Sequence, residues 1–285
     1  MISFYLAFPF LFLIGRLPFG AMYALSDFFY LILYKVVGYR KKVVFENLRK
    51  SFPAKSEDEI RQIAESFYRY FCDLVLETIK KIQMTEAQSQ ERCIYHLTPE
   101  VKKLVEEKRS LILLMGHYGN WEWGGSAYTL SSGSQLYVVY KTLSNPYFEK
   151  WMVKSRTMFG TRLIKMENTL RDMISNKANP ATYAFIADQT PVPPAPLWLP
   201  FLHQDTPVFT GAEKLARKLN YPVLFISIKR MKRGYYEIFT EVLSENPKET
   251  PENQITEAFF NRLQTEIEIA PETWLWSHRR WKFTR

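Results

Sequence analysis

Cysteine is nearly missing from this chain, with two residues, Cys72 and Cys93, in a sequence of 285. That supply offers neither a disulfide framework nor a thiolate metal site, and it suits a reducing compartment. Several catalytic signatures are missing too: a Walker A loop, G-x-G-x-x-G, a G-x-S-x-G elbow, and any Cys/His cluster at metal-binding spacing. Nucleotide, dinucleotide and zinc chemistries therefore lose ground, and neither a cofactor nor a metal is expected. Internal repeats and low-complexity tracts are absent as well.

What is present is apolar and basic. Hydrophobic residues make up 47% of the chain, enough for one substantial core. The net charge of +9 and pI near 9.3 suit an anionic partner, either nucleic acid or an anionic membrane surface.

The first forty residues choose between those partners. Met1 to Tyr34 is almost continuously apolar and aromatic, broken only by Arg16 and Asp27. The second half of that run, Leu17 to Tyr34, is 18 residues long, within the range of about 17 to 25 that spans a bilayer. One tilted transmembrane helix and a shallow interfacial hairpin both fit, and a buried core hairpin is the plainer alternative. Without a preceding cation or a following A-x-A site, the run does not read as a cleaved signal peptide. Arg40, Lys41, Lys42, Arg49, Lys50 and Lys55 follow directly and mark the cytoplasmic side. The expected organisation is a membrane anchor over 1–36 and a cytosolic domain over 37–285. Nucleic-acid binding is not expected.

Beyond the anchor, Ser56-Glu57-Asp58-Glu59 is a capping box that opens a helix to about Ile82. Thr98-Pro99-Glu100 starts another helix, and Thr250-Pro251-Glu252 a last one to about Glu268. Thr210 and Glu213 form a second capping box. Between these, strand-like runs alternate with helical ones: Leu111–Met115, Gln135–Tyr140, Arg162–Ile164, Thr182–Ala187, Val223–Ile228 and Tyr235–Val242 are the strands. The pattern predicts an α/β fold, a mixed but largely parallel central sheet flanked by helices, with chemistry at the carboxyl ends of the strands. The proline-rich stretch Thr190–Pro200 reads as an ordered loop over that sheet.

The candidate chemistry sits in Gly116-His117-Tyr118-Gly119-Asn120-Trp121-Glu122, just after the strand Leu111–Met115. A carboxylate in the first turn of a helix can reach back to a histidine at the preceding strand end and support it as a general base. In this reading His117 takes a hydroxyl proton and Glu122 holds its other ring nitrogen. Asn120 caps the helix, and the N–H groups there can receive an oxyanion. By itself the spacing is weak: four histidines give a chance His-x4-acid match odds of about 0.4. Lys141 after a strand, Arg156 on a helix and Asp188-Gln189 after a strand are further candidates, although each is commonly a solvated or turn residue. The tail Trp274 to Lys282 combines tryptophans with cations, as a membrane or phosphate-rich surface would, or it docks on the core.

Together these segments resemble the bacterial lipid A biosynthesis acyltransferases, the late lauroyl and myristoyl transferases, which belong to the His-x4-Asp/Glu acyltransferases. The similarity covers nearly the whole chain. It runs through Tyr39-Arg40-Lys41-Lys42, Phe45-Glu46-Asn47-Leu48, Ser51-Phe52-Pro53, the His117 to Glu122 block, Val139-Tyr140-Lys141, Asn145-Pro146, Ala187-Asp188-Gln189 and Trp274-Leu275-Trp276-Ser277-His278-Arg279-Arg280. The resemblance implies a glycerolipid-acyltransferase-like fold and transfer from an acyl carrier protein thioester to a hydroxyl of an anionic glycolipid, a lipid A precursor, at the cytoplasmic face of the bacterial inner membrane. It makes His117 the base and Glu122 its partner, sets Arg156 on phosphate or oxyanion, and gives Asp188 and Gln189 a supporting part. The same motifs would serve an acyltransferase acting on a phosphatidylinositol mannoside or an aminoacyl lipid. A lipid hydrolase or thioesterase would use water in place of the acceptor.

Overall fold

Successive side chains along Leu111–Met115 point to opposite sides of a sheet, and all five are buried. A strand covered on both faces belongs at the centre of a parallel sheet, and that is where this one lies. The computed structural model describes residues 2–192, 194 and 197–283, with side chains from position 8 onward.

In chain order the elements begin with helices α1 (Ile2–Arg16) and α2 (Phe19–Tyr30), which runs on as a π-helical stretch, Leu31–Val37. Helices α3 (Lys41–Ser51), α4 (Glu57–Lys81) and α5 (Glu86–Arg92) follow, then β1 (Cys93–His96), α6 (Pro99–Glu106), β2 (Leu111–Met115), α7 (Trp121–Ser131), β3 (Gln135–Tyr140) and α8 (Pro146–Arg156). The chain continues through β4 (Arg162–Lys165), α9 (Thr169–Ser175), β5 (Ala181–Ile186), β6 (Leu197–Phe201), β7 (Gln204–Val208) and α10 (Gly211–Leu219). It closes with β8 (Val223–Lys232), β9 (Tyr235–Ser244) and α11 (Gln254–Ile269).

Seven strands form one sheet in the order β1-β9-β8-β2-β5-β3-β4. Every neighbouring pair is parallel except β8–β9, so the mixed, largely parallel sheet expected from the alternation is the one observed. Ile112 and Leu114 of β2 enter one core with Phe67, Phe259 and Leu263, while Leu111, Leu113 and Met115 enter the opposite core with Trp123 and Tyr128.

Local signals account for several helix starts. The Ser56–Glu59 capping box forms with both of its hydrogen bonds, and Thr98 caps α6 ahead of Pro99. Two expectations fail. Thr210 makes no cap hydrogen bond, because Glu213 turns instead to the backbone N–H and hydroxyl of Thr256. The last helix begins at Gln254 rather than near Thr250, whose hydroxyl is engaged with Ser244 and the Asn246 carbonyl. In the proline-rich stretch, Leu197–Phe201 is a strand paired antiparallel with β7, and positions 193, 195 and 196 lie outside the described residues.

Among the described residues, one helix, Phe19–Val37, has the length and composition to cross a membrane: 19 residues with mean hydropathy 1.3. It packs along α4 through Met22, Ser26, Tyr30 and Tyr34, spaced four apart on one face and all buried.

Candidate active site

The register of the sheet builds the site. Met115 of β2 pairs with Ile186 of β5, and the Ala187 N–H donates to the Met115 carbonyl at 3.0 Å. Two residues past each of these strand ends stand His117 and Asp188. Parallel neighbours leave the sheet at the same edge, so the two side chains converge.

Asp188 is 2% exposed and accepts three hydrogen bonds. Its Oδ1 lies 2.7 Å from His117 Nδ1, and its Oδ2 accepts from the His117 backbone N–H at 2.8 Å and the Trp274 indole N–H at 2.8 Å. Burial pushes the carboxyl up. The His117 ring, the hydrogen bonds from His117 and the bond from Trp274 outweigh this and hold it at about 2. An ionised Asp188 only accepts, so Nδ1 carries the ring proton and Nε2 is the basic nitrogen. The Gln189 side-chain amide lies 3.3 Å from that Nε2, placed to donate to it. Trp121 meets the imidazole edge-on, with ring centroids 5.1 Å apart.

Glu122 is placed differently from expectation. It is buried in the first turn of α7, yet its carboxylate turns to Arg156 of α8 and not to His117. Arg156 Nε donates to both oxygens at 3.1 and 3.2 Å, and a terminal guanidinium nitrogen to Oε1 at 2.5 Å. The His117–Glu122 hydrogen bond is therefore replaced by two pairs, His117–Asp188 and Glu122–Arg156. The physical reason is competition. A guanidinium offers a carboxylate a two-point bond, and a single ring N–H does not. Burial would raise the Glu122 carboxyl, but the charge and hydrogen bonds of Arg156, with Lys81 and His117 adding to them, lower it. Lys81, 3% exposed, donates its ammonium to the Glu122 main-chain carbonyl. Burial lowers Lys81 to about 8 despite the nearby Glu122 charge.

The remaining candidates divide. Asn120 caps α7 by accepting from the Trp123 N–H at 2.9 Å, as expected. It is fully buried, however, and its amide donates to Glu77 at 2.7 Å, so it does not face a substrate. Lys141 is exposed on the loop after β3. Gln189 reaches His117 Nε2 directly.

Two glycines allow the turn. Gly119 has φ +61°, and a Cβ there would lie 2.5 Å from the Ile228 carbonyl. At Gly116 a Cβ would lie 2.7 Å from Leu263 and 3.3 Å from Asp188 Oδ2.

The tail does not form a membrane surface. Trp274, Trp276 and Arg280 are at most 3% exposed. The segment straps the His117–Gly119 turn, with the Leu275 N–H donating to the His117 carbonyl and the Gly119 N–H to the Thr273 carbonyl. Asn47 on α3 holds the same segment at the Trp276 and His278 carbonyls. Trp274 is thus a residue behind Asp188 that periodicity missed, and its one sequence signal was its place in the resembling block.

Known proteins resemble this chain over most of its length. The model of one family, described as bacterial lipid A biosynthesis acyltransferase, matches residues 1–283. A lipid A biosynthesis palmitoleoyltransferase of Escherichia coli (strain K12) is 23% identical over 247 residues, 85% of this chain and 79% of that protein. A lipid A biosynthesis acyltransferase of Shigella flexneri matches with the same identity and coverage.

Proposed function

This chain belongs to the bacterial lipid A biosynthesis acyltransferase family and is an acyltransferase, and on that premise we propose that it moves a fatty acyl chain from an acyl carrier protein thioester to a hydroxyl of a lipid A precursor. The reaction takes place at the cytoplasmic face of a bacterial inner membrane.

His117 Nε2 takes the proton of the acceptor hydroxyl, whose oxygen attacks the thioester carbonyl carbon. Collapse of the tetrahedral adduct breaks the carbon–sulfur bond, and the leaving thiolate receives the proton back from His117. Asp188 keeps Nδ1 protonated throughout and offsets the imidazolium charge, the usual part of a buried carboxylate behind a histidine. Gln189 occupies the position the hydroxyl must take. Once displaced, its amide is free to donate to the developing oxyanion.

Glu122 acts through Arg156, which it holds in one orientation. The Arg156 side chain, 26% exposed, is poised for a phosphate of donor or acceptor or for the oxyanion. Lys141, exposed on the loop after β3, is a further cation available to an anionic substrate. Direct transfer is preferred to an acyl-enzyme because both cysteines are buried and burial raises both thiols, which leaves no ready thiolate.

The observation that carries the proposal is the 2.7 Å contact between His117 Nδ1 and Asp188, which leaves Nε2 as the base. The test is acyl transfer from an acyl carrier protein thioester to a lipid A precursor by purified wild type and His117→Ala. The variant is expected to lose about 10²–10⁴-fold in turnover. Equal turnover would remove His117 from the role. In cells, deletion of the gene should cost lipid A one secondary acyl chain by mass analysis.

A further inference from the structure

We infer that α1 and α2 lie flat in one leaflet, with α2 docked lengthwise on α4, and that the chain does not cross the bilayer. The inference rests on the membrane location proposed above and specifies its geometry.

Length alone would allow crossing. A helix over Phe19–Val37 reaches about 28 Å at roughly 1.5 Å per residue, close to the hydrocarbon thickness of about 30 Å. The contacts forbid it. The Lys80 ammonium donates to the carbonyls of Gly15 (2.9 Å) and Leu17 (2.8 Å) at the α1–α2 corner. The Tyr23 hydroxyl donates to Glu77 at 2.8 Å, and the Ser26 hydroxyl to Asp73 at 2.7 Å. The rings of Tyr34 and Tyr68 lie 4.9 Å apart, and the Lys35 ammonium stands 3.2 Å from Glu65. Numbers rise along α2 as they fall along α4, so the two helices are bonded antiparallel from end to end.

With those bonds in place, a crossing α2 would carry α4 from Lys80 to Glu65 through the hydrocarbon. It would also carry the β8–β9 turn. Arg233 there clasps both Asp27 and Asp73 at 2.7–2.8 Å, level with the middle of the apolar helix. A strand turn and a set of carboxylates at the bilayer midplane would leave polar groups with no water to satisfy them. Undocking instead would strip Asp73 and Glu77, 2% and 0% exposed, of the Ser26 and Tyr23 donors.

The exposed side chains of α1, α2 and the π-helical stretch are suited to lipid. Phe10, Leu13, Phe28, Leu31, Val36 and Val37 are 51–80% exposed. Arg16, Lys35, Arg40 and Lys41 flank them, and the Lys41 ammonium sits 4.0 Å above the Tyr34 ring. Apolar side chains bordered by cations fit the boundary of an anionic leaflet, and that leaflet is the partner proposed. The arrangement also sets the catalytic corner beside the membrane. Lys80 holds the α1–α2 corner, and Lys81, the next residue, holds Glu122.

The experiment uses the full chain in a Gram-negative host, with an exposed reporter thiol introduced by Arg16→Cys and wild type, whose Cys72 and Cys93 are buried, as the labelling control. A membrane-impermeant maleimide is applied to spheroplasts and to inverted inner-membrane vesicles. Labelling only in inverted vesicles is the expected result. Labelling from the periplasmic side, in a protein that fractionates with the membrane, would show that the helix crosses and overturn the inference while leaving the membrane location intact. Recovery of the protein in the soluble fraction would overturn the location and the inference together. As a second reading, Leu31→Ser with Val36→Ser should lower partition into phosphatidylethanolamine–phosphatidylglycerol vesicles about tenfold or more, with circular dichroism unchanged.

Discussion

His117 and Asp188 are 71 positions apart in sequence, and their side chains meet at 2.7 Å across the carboxyl ends of two adjacent parallel strands. In the proposed reaction, that contact sets which ring nitrogen acts as the base. Asp188→Asn keeps the shape and removes the charge, and the amide can present an N–H to Nδ1 and reverse the tautomer. Turnover is expected to fall about 10²–10⁴-fold with little change in KM. Steady-state kinetics on the purified variant decide it, and a pure KM effect would make Asp188 a substrate contact.

Trp274 lies behind Asp188. Trp274→Phe retains most of the ring but loses the indole N–H that donates to Oδ2 at 2.8 Å. A hydrogen bond to a charged acceptor is worth roughly 1.5–3 kcal/mol, so the loss in kcat should be about tenfold or more. A variant as active as wild type would reduce Trp274 to a packing residue.

Glu122 and Arg156 should behave as one unit. Glu122→Gln leaves a mostly buried guanidinium without its charge partner, and breaking such a pair costs roughly 3 kcal/mol in stability. Arg156→Gln alone should be similarly costly. The double variant should lose much less than the sum. Urea unfolding of the four proteins gives the coupling, and strict additivity would contradict the pairing.

Gly119→Ala should be damaging out of proportion to one methyl group. Its φ of +61° and the 2.5 Å approach to the Ile228 carbonyl predict a loss of at least about 2 kcal/mol, read as a lower melting temperature. Gly20→Ala, with open space around its Cβ, is the matched control and should leave melting nearly unchanged.

His278 titrates against the fold. Burial lowers it to about 4 from the ordinary 6.5; Asp188 raises it, and His117, Arg280 and Lys282 lower it further. The folded state therefore resists a proton that the unfolded chain accepts. Above about pH 6.5 there is no penalty. As pH falls from 6.5 to about 4, stability is lost at up to about 1.4 kcal/mol per unit. His278→Gln should flatten the fall between pH 6.5 and 4.5 in urea midpoints. Parallel curves for the two proteins would rule this histidine out. The contribution of Asp188, depressed to about 2, is lost only at lower pH, from its ordinary range near 4 downward.

Sequence alone determined the elements whose signals are local. The buried run Leu111–Met115, the Ser56 capping box, the Thr98-Pro99 helix start and the strand–helix alternation all depend on residues within a turn or two of one another. The candidates His117, Glu122, Arg156, Asp188 and Gln189 were also legible, as members of one ordered set of motifs. Who pairs with whom was not. Glu122 stands five residues from His117 and points to Arg156, while the carboxylate that reaches the imidazole arrives from β5. Of the two readings of the tail, a membrane surface or a segment docked on the core, the fold takes the second for the same reason. A buried charge takes the partner that satisfies it best in three dimensions, and sheet register, helix packing and competing donors decide that choice only once the chain has folded.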